Sequence, residues 1–149
     1  LEVGMDHRYE IHRLVDIIRP DIGIITNVGI SHIENLGSRE EILAAKLEIT
    51  DYFTEDNTLV INQDNDMLQA ADLSGGYKVV RVGADPSCDY RVSGVEDRGG
   101  EGVGWTLTAD GKEYRIELPI PGAHNALNAS LAVAACQRLA FPSKRRLPA

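Results

Sequence analysis

Cysteine is nearly absent. Cys88 and Cys136 are the only two in 149 residues. Far apart in sequence, they exclude a CxxC metal site and a disulfide framework, and a reducing, cytoplasmic setting is the expectation. Long apolar runs are missing too: nothing approaches the roughly 20 residues of a membrane span, and no signal peptide opens the chain. Positive charge is scarce, with 15 Lys and Arg against 23 Asp and Glu, a net charge of −8 and a pI near 4.9. That balance argues against nucleic acid or an anionic membrane as the main partner. It leaves a phosphate ligand open, because backbone amides and metal ions hold phosphates on acidic proteins. The loop GxxxxGK[ST] is also absent, so a nucleotide's phosphates have no complete cradle among these residues.

What is present is an ordinary globular composition, 43% hydrophobic and 26% charged, in a chain long enough for one real core. LEVGMDH opens without an initiator methionine and reads as a strand end at 1–3, which predicts a piece of a longer protein. Helical periodicity over 10–18 stops at Arg19-Pro20. IGIIT (22–26) and TLVI (58–61) are apolar runs typical of strands buried on both faces. A short helix over 66–71 and a strand over 78–82 follow. This alternation predicts a parallel sheet flanked by helices over 1–83.

Beyond it the pattern switches to period two at 89–96, 104–109 and 112–118, with Asp110-Gly111 a strong hairpin signal. A small antiparallel sheet over 89–118 is therefore expected, then a loop and an alanine-rich helix over 119–140, and a frayed tail over 141–149. The fold class is α/β, one partial domain over 1–140.

EEILAAKLEITDYF, residues 40–53, is predicted as one helix, capped by Ser38 with Glu41 completing a capping box. On a wheel of roughly 100° per residue, Ile42, Leu43, Ile49 and Phe53 share an apolar arc, while Glu40, Glu41, Glu48 and Asp51 fall mostly opposite. Lys46 lies inside the apolar arc. Two readings stay open: its stem packs while the ammonium snorkels to water, or desolvation lowers its pKa and frees the neutral amine for chemistry. A neutral lysine amine takes up carbon dioxide to become a carbamate, an anion able to bind a metal.

In open parallel sheets ligands bind beyond the carboxyl ends of the strands. That rule singles out Glu2, the Thr26-Asn27 exit with the loop holding His32, and Asn62, Asp64 and Asp66. Glu2 is either an oxygen ligand for a hard cation such as magnesium or an exposed residue. His32 is a ligand or a loop hydrogen-bonder. Asn62 is a ligand contact or a turn residue. Asn125 and Asn128 share one face of a helix start, as caps or as amides reading a purine edge. VINQDND (60–66) is not a calcium loop: counted from Asn62, it lacks the sixth-position glycine and the closing glutamate.

Taken in order, LEVGMDHRYEI, ITNVGISHIENLGSREEILAAKLEI, VINQDND and PGAHNALNASLA closely resemble the central, ATP-binding domain of the Mur ligases. The resemblance runs from Leu1 to about Leu139 and is most specific over 21–49. Within the family, EVGMDH followed by EI points to the branch that joins D-alanyl-D-alanine to UDP-N-acetylmuramoyl-tripeptide. Another Mur ligase, a folylpolyglutamate synthase-like ligase and a non-catalytic scaffold of the same fold are the alternatives. One departure is Tyr9, where the family usually has glycine.

The resemblance implies an ATP-dependent amide-bond ligase of peptidoglycan precursor synthesis, with Mg²⁺ and ATP as cofactors. It places magnesium on Glu2 and His32, with Lys46 as a carbamate beside the second ion. His32 and Lys46 are the catalytic candidates. Asn125, Asn128 and neighbouring His124 contact the adenine end of ATP, Asn62 lies near the base, and Thr26 and Asn27 lie near the muramoyl-peptide. It also implies N- and C-terminal domains that are not in these residues, so the chain alone is expected to be inactive.

Overall fold

Every side chain of Thr58–Asn62 is buried, as a strand flanked on both sides and covered on both faces must be. The computed structural model describes residues 1–140 of the chain; 141–149, the expected frayed tail, lie outside the described residues. That strand is β2. Around it run β1 (Ile22–Ile25), β3 (Lys78–Gly83), β4 (Tyr90–Asp97), β5 (Val103–Ala109) and β6 (Lys112–Leu118). Spatial order equals chain order, β1-β2-β3-β4-β5-β6. β1 to β4 pair in parallel, and β4-β5-β6 antiparallel. The antiparallel strands expected as a small attached sheet continue the parallel one without a break, because β4 pairs with β3 on one side and with β5 on the other.

Alternation along β2 divides the core. Leu59 and Ile61 face one side with Met5, Ile11, Val15, Ile42, Ala45 and Leu68. Val60 faces the other, with Val80, Val82, Trp105, Leu107, Leu131 and Ala134. The first side carries α1 (Glu10–Ile18), α3 (Arg39–Leu47) and α4 (Asp66–Ala70), while α5 (His124–Ala140) covers the second. Small residues on α5 let it approach closely. Trp105 Nε1 donates to Ser130 Oγ at 3.0 Å, and Ser130 Oγ donates to the Ala126 carbonyl at 2.7 Å.

The hairpin forms as its sequence demands: Asp110 (φ 50°) and Gly111 (φ 72°) both take left-handed conformations, the pattern of a type I′ turn. The other hairpin ends at Gly102, with φ 99° and ψ −164°.

Four local expectations are corrected. Residues 1–3 are not a strand: an extended segment needs a neighbour to take its hydrogen bonds, and no strand of the sheet pairs with them. β1 is not buried on both faces. It ends the strand order, and Ile24 stays 37% exposed. The long loop after β1 contains a one-turn helix, α2 (Ile33–Leu36). Finally, α3 does not run to residue 53. It tightens into a 3₁₀ turn at Glu48–Thr50, which swings Glu48 inward to only 4% exposure rather than outward with the other acids.

Tyr9 is explained by its backbone. It sits at φ 70°, ψ 4° before α1, a left-handed conformation that glycine adopts without strain. This is the position where a glycine was expected from the resemblance.

Candidate functional site

β1 has a neighbour on one side only among the described residues. A cavity of about 660 Å³ wraps this free edge. Its walls are mostly apolar: Ile11, Val15 and Ile18 of α1, Ile22 and Ile24 of β1, and Leu131 and Ala135 of α5. Polar groups enter from separate elements. Glu2 comes from the opening segment, Thr26 from the exit of β1, Lys46 from the last turn of α3 and Asn128 from the second turn of α5. Few convergent polar groups in an apolar cleft is the usual make-up of a ligand site.

Lys46 is half-buried here, and burial pushes its ammonium below the usual lysine value. The shift runs in the direction the desolvated-amine reading needs, while a half-buried stem is also what snorkelling produces. The unfolded chain holds the Lys46 proton up to about 10.5, the folded chain only to a lower pH. Between those values the unfolded state binds more protons, so stability rises with pH there; below them the burial penalty is fully present. Lys46→Met is therefore expected to raise Tm at pH 7, with the gain shrinking as pH climbs toward 10.5. Thermal melts by circular dichroism across that range check the sign; a gain that grows with pH contradicts it.

The other predicted residues lie elsewhere. His32 caps α2 at φ 67°, and its Nδ1 sits 2.7 Å from Asp6 Oδ1. It does not line the cavity with Lys46 and Glu2. Asn62, at the end of β2, spends its amide on the backbone: Nδ2 donates to the Thr26 carbonyl at 2.9 Å, and Oδ1 accepts from Asp64 N–H at 2.9 Å. Asn27 Oδ1 accepts from Asn65 Nδ2 at 2.8 Å. Together these bonds tie the exits of β1 and β2. Asn125 Nδ2 donates to the Pro121 carbonyl at 2.8 Å, so of the two asparagines only Asn128 lines the cavity. His124 packs beside Gly122, where an added Cβ would lie 2.6 Å from its ring. The loop before it is held by Asp97, whose carboxyl is kept low by the N–H groups of Gly99, Gly122 and Ala123.

Among the described residues no three His, Cys, Asp or Glu side chains gather as a metal cage. Magnesium needs less than a cage. It is commonly held by one or two carboxylates, with waters and phosphate oxygens completing the shell. Glu2 and the Thr26 hydroxyl are hard oxygen donors at one cavity, and the donor set fits that use.

Sequence reasoning missed a charged clasp behind the site. Glu48 Oε1 accepts from Arg8 Nε (3.0 Å) and Tyr9 N–H (2.8 Å), and Oε2 accepts from His12 N–H (3.2 Å). Arg8 NH1 also donates to Glu41 at 2.9 Å, which leaves the capping box half-formed: Ser38 Oγ still accepts from Glu41 N–H at 3.2 Å. Arg39 bridges Asp66 and the Val28 carbonyl, joining α3 to α4 and the β1 exit loop. The one signal for either clasp was a glutamate or arginine on a helix with no local partner.

The family model of the Mur ligase middle domain matches residues 1–136. The chain belongs to the Mur ligase family. This Mur ligase middle domain is 38% identical over 135 residues to UDP-N-acetylmuramoyl-tripeptide–D-alanyl-D-alanine ligase of Bacillus subtilis (strain 168), covering 91% of the chain and 28% of that protein. The ligase of the same name from Escherichia coli (strain K12) is 30% identical over 136 residues, covering 90% and 30%. The chain thus spans under a third of these relatives' length. Among solved structures, MurF from Acinetobacter baumannii superposes with a TM-score of 0.84 at 24% identity, over 96% of the chain and 31% of that protein. MurF ligase from Thermotoga maritima, solved in complex with ADP, gives 0.76 at 21% identity, over 96% and 35%. At those identities the two structures establish the fold, a six-stranded mixed sheet with helices on both faces. No helix of the described residues is long and apolar enough to cross a membrane.

Proposed function

We propose that this chain is the ATP-handling middle domain of a cytoplasmic ligase that joins D-alanyl-D-alanine to UDP-N-acetylmuramoyl-tripeptide in peptidoglycan precursor synthesis. The observation that carries the proposal is that Glu2 and the half-buried Lys46 line one cavity, at the edge of β1 that has no neighbour among the described residues. Similarity to the relatives of that name supports the choice of substrates. ATP transfers its γ-phosphoryl group to the terminal carboxylate of the peptide. The amine of D-alanyl-D-alanine attacks the resulting acyl phosphate, a C–N bond forms, and phosphate leaves.

Both partners of the first step are anions. Magnesium, when bound, cancels charge between them and on the transferring group. Glu2 would offer it a carboxylate and Thr26 a hydroxyl; His32, which pairs with Asp6 outside the cavity lining, is the candidate ligand for a second ion. Lys46 acts as a carbamate: the neutral amine adds to carbon dioxide, an N–C bond forms, and a proton is released to solvent. The carbamate would present an anion, rather than a cation, to a bound metal. Asn128 is the adenine-side candidate that lines the cavity, with Asn125 and His124 beside it at the start of α5. The apolar walls exclude water from the acyl phosphate.

The test uses the full-length ligase with ATP, UDP-N-acetylmuramoyl-tripeptide and D-alanyl-D-alanine. Phosphate release coupled to pentapeptide formation is expected, falling by about 100-fold or more in Lys46→Ala. A full-length protein that makes no amide product overturns the assignment. Without a GxxxxGK[ST] loop, the 149-residue chain alone is expected to bind ATP weakly and turn over nothing.

A further inference from the structure

We propose that Glu48, acting with Arg8, is the positioning residue that fixes the Glu2 segment against the wall bearing Lys46. The inference rests on the ligase reading above.

Glu48 lies behind the site and joins the two elements that carry Lys46 and the opening segment. It follows Lys46 by two residues, at the point where α3 tightens into the 3₁₀ turn. Its carboxylate crosses to the opening segment and takes three hydrogen bonds there, from Arg8, Tyr9 N–H and His12 N–H. The Glu48 side chain is 5% exposed, so these bonds replace water rather than compete with it. α1 has no side-chain cap of its own at Tyr9. Glu48 supplies the cap from another element, and it holds Tyr9 in its left-handed turn.

Between Glu2 and Tyr9 the segment has three more anchors: Met5, 6% exposed in the core, Asp6, paired to His32, and Glu10, whose Oε2 accepts from the N–H groups of Asp6 (2.6 Å) and His7 (3.1 Å). The guanidinium of Arg8 spans Glu48 and Glu41 at once, a forked geometry that lysine's single ammonium cannot reproduce. Loosening this clasp frees the stretch that begins just after Glu2 while Lys46 stays on its helix. The distance between the two ligand-bearing walls is then no longer set.

Arg8→Lys and Glu48→Gln separate positioning from mere stability. In the 149-residue chain, amide exchange over 4–9 is expected to speed up by about tenfold in Arg8→Lys, while amides of β2 and β5 keep wild-type protection. In the full-length ligase, half-saturating Mg²⁺ is expected to rise roughly tenfold or more in both variants, with the KM for D-alanyl-D-alanine unchanged. Arg98→Lys, a like change in a surface pair with Glu117, is expected to leave both readouts at wild type. If Glu48→Gln fails to fold, Arg8→Lys carries the test alone. Exchange that rises equally everywhere, or Mg²⁺ dependence that does not move in an active enzyme, overturns the inference and leaves the ligase reading standing. A wild-type enzyme without amide product overturns the ligase reading instead.

Discussion

Trp105→Ala is expected to cost about 3–5 kcal/mol, a large share of the roughly 5–15 kcal/mol that holds a domain of this size together. Trp105 is fully buried in β5, against the small-residue face of α5. Truncation removes the largest side chain of that core and leaves a void that Ala126 and Ala134, with only a methyl each, cannot fill. It also removes the indole donor to Ser130, although Ser130 keeps its own bond to the Ala126 carbonyl. Trp105→Phe retains most of the apolar area and is expected to cost markedly less. Urea unfolding followed by far-ultraviolet circular dichroism measures both, since the variants lose the only tryptophan and its fluorescence. An alanine variant with a wild-type midpoint means that α5 does not pack on β5 as described.

The second large effect is expected at Gly102. Its φ of 99° and ψ of −164° fall in a region essentially reserved for glycine, a strain of about 1–3 kcal/mol for any other residue. A Cβ there would also lie 2.0 Å from the Leu118 carbonyl oxygen and 2.9 Å from Pro119 Cα, both main-chain atoms that cannot swing aside. Forced overpacking adds about 1–3 kcal/mol. Gly102→Ala is therefore expected to lower stability by about 2–6 kcal/mol and to disturb the start of the β5-β6 ladder. Gly100, two residues earlier in the same turn, has open space at its Cβ. Gly100→Ala is expected to change stability by no more than about 0.5 kcal/mol. Equal melting shifts for the two variants would contradict the turn geometry.

Where a pattern is local, the sequence announced it. Period two marked β4 to β6, Asp110-Gly111 marked the β5-β6 hairpin, and helical periodicity over 10–18 marked α1. Lys46 was legible as an inward lysine because a helix wheel is a local calculation. Glu48 was not. The wheel assumes a continued α-helix, whereas the chain tightens at that residue, and the guanidinium that makes burial tolerable comes from Arg8, forty residues away. Asn62 and Asn125 were legible as polar groups at element ends, but a sequence does not say whether an amide is already committed. Both amides are engaged by main-chain carbonyls. α2 escaped notice because a single turn is too short to display a period. The joining of β3 to β4 escaped because parallel pairing across a loop leaves no composition signal of its own.

A sheet whose spatial order repeats its chain order has a consequence for synthesis. As the polypeptide leaves the ribosome, each strand from β2 to β6 meets an edge that its predecessor has just laid down, so among the described residues none of these waits for a distant partner. Such growth keeps loop-closure entropy small at every step. The element after β6, α5, then lays its alanine face along β1 to β5 and closes over an indole that has been wet until that moment.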